Sequence, residues 1–79
     1  MNNSEMKANR FARWAYYRAL ERQIREQFEA GRYVVASTYL RRIKLTAKNN
    51  GNLKATRNGL WIQNGKSWQD ISLCTITAH

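Results

Sequence analysis

Proline is absent from this chain, cysteine and histidine occur once each, and acidic residues number only five. Each shortage excludes something. Cys74 alone cannot close an internal disulfide, and Cys74 with His79 falls short of the three or four ligands of a zinc site. No Gly-rich phosphate loop is present. Neither a metal nor a cofactor is expected. No stretch approaches the roughly 18 apolar residues of a membrane span. The start, Met1-Asn2-Asn3-Ser4-Glu5, lacks the apolar run of a secretory leader. The expectation is a cytoplasmic protein in a reducing compartment, with no membrane partner.

The same shortages weigh against catalysis. A nucleophile needs a base within hydrogen-bond reach, and the only histidine is His79, the last residue given. Of the acids, Glu5, Glu21, Glu26 and Glu29 lie in the N-terminal segment among arginines. Glu21–Arg25, Arg22–Glu26 and Arg25–Glu29 all have the i,i+4 spacing of helix ion pairs. The expectation is that the chain is not an enzyme.

What the chain has in excess is positive charge. Fourteen Lys and Arg stand against five Asp and Glu, a formal net charge of +9 over 79 residues. That balance speaks about partners and not about fold. It suits polyanions such as DNA, RNA, a ribonucleoprotein or an anionic membrane, or an acidic protein surface. A chain this short forms one domain, 1–79, that buries only about 60% of its unfolded surface. Little stability is left over for a buried pocket, so the working surface is expected on the outside.

Along the chain, 1–8 is polar and expected to fray, with Ser4 and Asn9 both suited to capping a helix. A helix is expected over 9–31. At about 100° per residue, Trp14, Tyr17, Leu20, Ile24 and Phe28 fall within an arc of about 120°. Gly31 is the residue type that ends helices in a left-handed turn. Arg32 to Ala36 is β-branched and reads as a strand. The next stretch is ambiguous. Leu40, Ile43 and Ala47 have helical spacing, whereas Tyr39, Arg41, Ile43 and Leu45 alternate as in a strand. The helix, 38–49, is preferred because Asn50-Gly51 makes a natural stop behind it.

The last third reads as a meander. Leu53–Arg57, Leu60–Gln63 and Lys66–Leu73 are strands, separated by Asn58-Gly59 and Asn64-Gly65 turns. With Gln63 opposite Lys66, Trp61 would face Trp68. The fold class is therefore α+β: a long N-terminal helix, then a strand-helix-meander core over 32–73, with the helices packed on the sheet.

The basic residues divide into two groups. Arg18, Arg22 and Arg25 are matched by nearby glutamates and read as a solvated, salt-bridged face. Between Glu29 and Asp70 there is no acid. On the expected second helix Arg41, Lys44 and Lys48 share one face, with Arg42 beside them. Lys54, Arg57 and Lys66 add to them from the meander. Aromatic residues among basic ones can stack unpaired bases. Trp61 and Tyr39 are candidates, whereas Trp68 is assigned to the core.

One set of residues carries a resemblance: Ala36-Ser37, Arg42-Ile43, Gly51, Asn58-Gly59-Leu60-Trp61, Gly65-Lys66, Trp68 and Asp70. Over 36–70, about half the chain, this pattern resembles a family of small phage anti-CRISPR proteins that inhibit the type I-F CRISPR surveillance complex. Its most specific part is Asn-Gly-Leu-Trp followed by Gly-Lys-x-Trp-x-Asp. The resemblance implies a strand, a helix and a three-stranded meander. It also implies that Arg41 and Arg42 dock on the complex, with Lys44 or Lys48 standing in for a family lysine that falls at Thr46. Weak DNA contact near the last turn is implied at Lys66. The family lacks the helix at 9–31, and its own first strand has no clear counterpart here.

Three functions are thus expected in order. The first is a basic phage-type inhibitor, in the cytoplasm of a bacterial host, that binds a CRISPR surveillance nucleoprotein and blocks access of target DNA. Its partner-binding residues are Arg41, Arg42, Lys44, Lys48 and Lys66, with nucleic-acid contact at Lys54, Arg57 and Trp61. The second is a small nucleic-acid-binding regulator of a phage or plasmid. The third is an assembly factor that forms a homodimer through the first helix.

Overall fold

The computed structural model describes the backbone of residues 3–79 and the side chains from Arg10 onward. The expected frayed stretch 1–8 lies outside the described residues at 1–2, and helix α1 is described over Asn3–Glu29. After it come β1 (Val34–Ser37), β2 (Arg42–Leu45), a single-turn α2 (Ala47–Asn50), β3 (Leu53–Ala55), β4 (Leu60–Asn64), β5 (Ser67–Asp70) and β6 (Thr75–Ala78). The fold is α+β. Its strands form two antiparallel three-stranded sheets, ordered β2-β1-β6 and β3-β4-β5.

Helix α1 stops where Gly31 predicts. Gly31 takes φ +77. Its N–H donates to the Phe28 carbonyl at 3.0 Å, and that of Arg32 to the Gln27 carbonyl at 2.9 Å. These are the two bonds of a Schellman cap, which satisfy carbonyls the helix leaves open. Tyr17, Leu20, Ile24 and Phe28 turn toward the sheets, and Ile24 is fully buried. Trp14, placed on the same stripe, does not join them. A helix of 27 residues is about 40 Å long, and the molecule's longest dimension is 43 Å. The helix outruns the sheets, leaving Arg10 to Tyr16 exposed.

The expected helix over 38–49 is replaced by a hairpin and a short helical remnant. Thr38 to Arg41 form the loop, where the Thr38 hydroxyl accepts from the N–H groups of Leu40 and Arg41 at 3.2 Å. The Thr38 N–H donates to the Arg41 carbonyl at 2.8 Å. Chain then pairs back along β1, with Ser37 opposite Arg42 and Val34 opposite Leu45. The alternation of Arg42, Ile43, Lys44 and Leu45 wins over the helical spacing. Pairing buries Leu45 completely and gives the Val-rich β1 a neighbour for its backbone groups. Only the turn before Gly51 stays helical. The Thr46 hydroxyl caps it, accepting from Asn49 N–H at 3.2 Å.

The meander is present, with its two outer strands shorter, its middle strand one residue longer and a shifted turn. Asn64 pairs with Ser67, so Gly65-Lys66 is the tip and Trp61 faces Asp70, with Gln63 opposite Trp68. The expected Asn64-Gly65 turn needs positive φ at both residues. Here Gly65 alone has it, at +66, as at the first central position of a type II′ turn. The register moves by two residues, so Trp61 and Trp68 keep one face but become diagonal neighbours.

Strand β6 goes beyond the expected core. Val34 faces Ala78 and Ser37 faces Thr75, which makes β1 a central strand. Val34, Ala36, Leu45, Leu53, Leu60, Ile62 and Ile71 join Ile24 in one core between the sheets and α1. Cys74 is a free thiol packed at its margin. Asn50 is the one buried polar side chain among the described residues. It donates to the Gln63 carbonyl at 3.1 Å and accepts from Thr46 N–H at 3.3 Å. It therefore ties the segment between the two sheets to β4.

Candidate nucleic-acid interface

The loss of the second helix separates the residues it was to carry. Arg41 sits in the β1–β2 loop, exposed, on a shallow cleft that includes Thr38, Gln69, Asp70 and Leu73. Arg42 and Lys44 sit two apart on β2 and share the outer face of the first sheet. The cross-strand rows there are Arg42–Ser37–Thr75 and Lys44–Val35–Thr77. Lys44 extends its ammonium to 4.5 Å from the Tyr33 ring centroid. That ring stacks in turn on His79, with centroids 5.1 Å apart and planes 10° apart. Lys48 is exposed in α2. The grouping of Arg41, Lys44 and Lys48 on one helical face is thus corrected to a loop, a strand and a separate turn of helix.

The meander residues come together better. Lys54 lies directly opposite Trp61 on the outer face of the second sheet, and Trp68 lies diagonal to Trp61. Lys54, Thr56, Asn58, Trp61 and Trp68 line one shallow cleft. Trp68 was expected in the core but is 46% exposed. The fully buried Leu60 and Ile62 occupy the inner face instead, and alternation puts both tryptophans on the other side. Trp61 is half-buried on that face. Lys66 is exposed at the β4–β5 tip, and Arg57 is exposed in the β3–β4 loop. Tyr39, 95% exposed, belongs to the loop of the other sheet and does not line this cleft.

That β3–β4 loop is held by short-range bonds. Thr56 N–H donates to the Gly59 carbonyl at 2.9 Å, and the Thr56 hydroxyl accepts from Asn58 N–H at 3.2 Å. Gly59 lies against Asp70. A Cβ at this position would come within 2.7 Å of the Asp70 carboxylate, which accepts from Ser72 N–H at 2.9 Å. The two most specific blocks of the sequence pattern, 58–61 and 65–70, are therefore joined at this contact.

The structure also gathers residues that the sequence reading left out of the site. Arg10, Phe11 and Trp14 on the free part of α1 meet Thr56 and Arg57 across a cleft of about 810 Å³. Phe11 is 67% and Trp14 39% exposed, with ring centroids 6.0 Å apart. The Arg18 guanidinium lies 5.6 Å from the Trp14 ring centroid. Only the position of Phe11, off the apolar stripe, hinted that this end of the helix packs on nothing.

Among the described residues one ion pair forms, Arg25 with Glu21 at 3.2 Å. Arg25 also donates to the carbonyls of Gly51 and Leu53 at 3.2 Å, which fixes it to the body. The expected pairs Arg22–Glu26 and Arg25–Glu29 do not close. Arg41, Arg42, Lys44, Lys48, Lys54, Arg57 and Lys66 face no carboxylate within salt-bridge distance. No helix among the described residues is long and apolar enough to cross a membrane. No three His, Cys, Asp or Glu side chains among them gather where a metal could sit. Compared with protein-family models, curated proteins and solved structures, the chain matches none.

Proposed function

We propose that this protein works by binding nucleic acid through its phosphate backbone, without catalysing a reaction. The observation that carries this reading is the set of exposed, unpaired basic side chains over 41–66, two of which, Arg42 and Lys44, share the outer face of the first sheet around the buried Val35. Placing phosphates along that face releases their counterions, which drives association. The threonines of β6 add neutral hydrogen-bond donors on the same face. Arg42 supplies a planar fork suited to two phosphate oxygens, whereas Lys44 acts as a point charge. Reversing both, Arg42→Glu with Lys44→Glu, should weaken binding of a labelled DNA duplex by about tenfold or more with the fold unchanged by circular dichroism. A folded double variant that binds as well as the parent would remove this face from the site.

A second reading places the same chemistry in a defence complex. The two most specific blocks that resemble the anti-CRISPR family meet at Gly59 and Asp70 in the second sheet, whereas Ala36-Ser37 and Arg42-Ile43 belong to the first. In this reading the protein is a phage-type inhibitor that occupies the nucleic-acid path of the type I-F surveillance complex. Arg41 and Arg42 lie on a loop and a strand, so docking would use the loop-to-strand corner and not a helix face. Adding the protein to a reconstituted complex should block binding of target DNA. Arg41→Glu with Arg42→Glu should restore that binding, and undiminished inhibition by the folded double variant would contradict the assignment.

A further inference from the structure

The two aromatic clefts share a wall. Thr56 lines both the cleft of Arg10, Phe11, Trp14 and Arg57 and the cleft of Lys54, Asn58, Trp61 and Trp68. Thr56 and Arg57 of the β3–β4 loop line one with the free end of α1, and Thr56 and Asn58 line the other with the outer face of the second sheet. Each pairs two aromatic rings with at least one cation. Among the described residues no carboxylate lines either cleft. By contrast, the cleft of Arg18, Arg22 and Arg25 includes Glu21.

We infer that these clefts are successive base-stacking stations for one single strand of nucleic acid, which crosses the β3–β4 loop between them. The inference rests on the nucleic-acid reading above and names the form of nucleic acid bound. Stacking needs a base whose face is free, and a duplex hides its base faces. Phe11 with Trp14 forms the first station, and Trp61 with Trp68 the second. Arg10, Arg57 and Lys54 take the phosphates around them. Base–aromatic stacking tolerates any sequence because every base has a π-face. The hydroxyl of Thr56 is engaged with Gly59 and Asn58, so the ridge between the stations is held by bonds within the loop. An apolar partner or a second copy of this chain fits less well, since either would bury Arg10, Arg57 and Lys54 without counter-charge.

The chain's three tryptophans, Trp14, Trp61 and Trp68, all line these clefts. Intrinsic fluorescence therefore reads the site directly. The full-length protein is titrated with a twelve-residue oligothymidine, with a duplex of equal charge, and with polyglutamate. The expected result is quenching by oligothymidine, tighter binding of it than of duplex, and no competition by polyglutamate. Phe11→Leu with Trp14→Leu, and separately Trp61→Leu with Trp68→Leu, should each weaken oligothymidine binding about tenfold or more. Followed by anisotropy of labelled strand, these variants should leave duplex binding unchanged. Trp68→Leu alone, at an exposed position, keeps the test open if the Trp61 variant loses its fold.

Salt-sensitive binding of duplex and single strand alike, unaffected by the aromatic variants, would overturn the stacking stations and leave the nucleic-acid reading standing. Equal competition by polyglutamate would also overturn the stations, since the clefts would then read charge alone. Binding of neither nucleic acid would overturn both readings.

Discussion

The two sheets of this protein are of equal size and unlike construction. The second, β3-β4-β5, is closed by two short turns between neighbours in sequence. The first, β2-β1-β6, joins a hairpin to a strand about forty residues further on. The second sheet can form as soon as its turns form, whereas the first requires β6, near the C-terminus, to return to β1 in the middle of the chain. Their outer faces differ as well. The second presents Trp61 and Trp68 beside Lys54, a surface for flat rings. The first presents Arg42 and Lys44 among threonines, a surface for phosphates. One domain thus presents two unlike outer faces on sheets that share one core.

Substitutions should expose that division. The largest effect is expected in the shared core. Ile62 is fully buried, and Ile62→Ala should cost about 2–5 kcal/mol by lost burial and a cavity. Chemical denaturation should show both sheets lost in one transition. Two separate transitions would mean that the core does not unite them. Next is the joint. Asn50→Ala leaves the Gln63 carbonyl and the Thr46 N–H without their partner, a cost of about 1–3 kcal/mol. Hydrogen exchange should quicken at α2 and β4 before β1, and unchanged exchange at β4 would contradict the link.

A smaller effect is confined to the second sheet. Gly59→Ala places a methyl against the Asp70 carboxylate, which must leave its bond to Ser72 N–H. The expected cost is about 1 kcal/mol. In the Asp70→Ala background the same change should cost close to nothing, and equal cost in both backgrounds would show that the contact is not the cause. The smallest effect on stability is on the first sheet's face. Arg42→Ala or Lys44→Ala should leave thermal stability nearly unchanged while lowering the salt slope of nucleic-acid binding by about one each. A slope unchanged in both variants would move the phosphate contacts elsewhere.

The contrast between the sheets also explains what could be read from the sequence. Helix α1 and its stop at Gly31, the strand at 34–37, and the three meander strands all rest on signals within a few residues. Strand β2 is not decided locally, because Asn50-Gly51 marks the end of a helix equally well whether that helix has three turns or one. What decides for the strand is its pairing with β1, which local spacing does not contain. Strand β6 is Thr75-Ile76-Thr77-Ala78, a β-branched alternation whose partner is Val34–Ser37, with no turn between them to announce it.

The candidate site divides along the same line. The basic residues over 41–66 are legible from the missing acids between Glu29 and Asp70, whereas Arg10 is not. Their grouping was not legible, because it followed from a helix that is a hairpin. Trp68 was assigned to the core because a small domain usually buries its aromatics. The shifted turn at Gly65-Lys66 kept Trp68 on Trp61's face, and that face is the outer one. The Phe11–Trp14 cleft depends on how far α1 outruns the sheets, which helix periodicity alone does not tell.

The central claim is that unpaired basic side chains bind the phosphate backbone. Its most direct test is the affinity for a labelled nucleic acid measured as salt is raised. Log affinity should fall linearly with log salt, with a slope steeper than about −2, because each phosphate neutralised on duplex contributes about −0.9. Binding that is absent at physiological salt, or indifferent to salt, would contradict it.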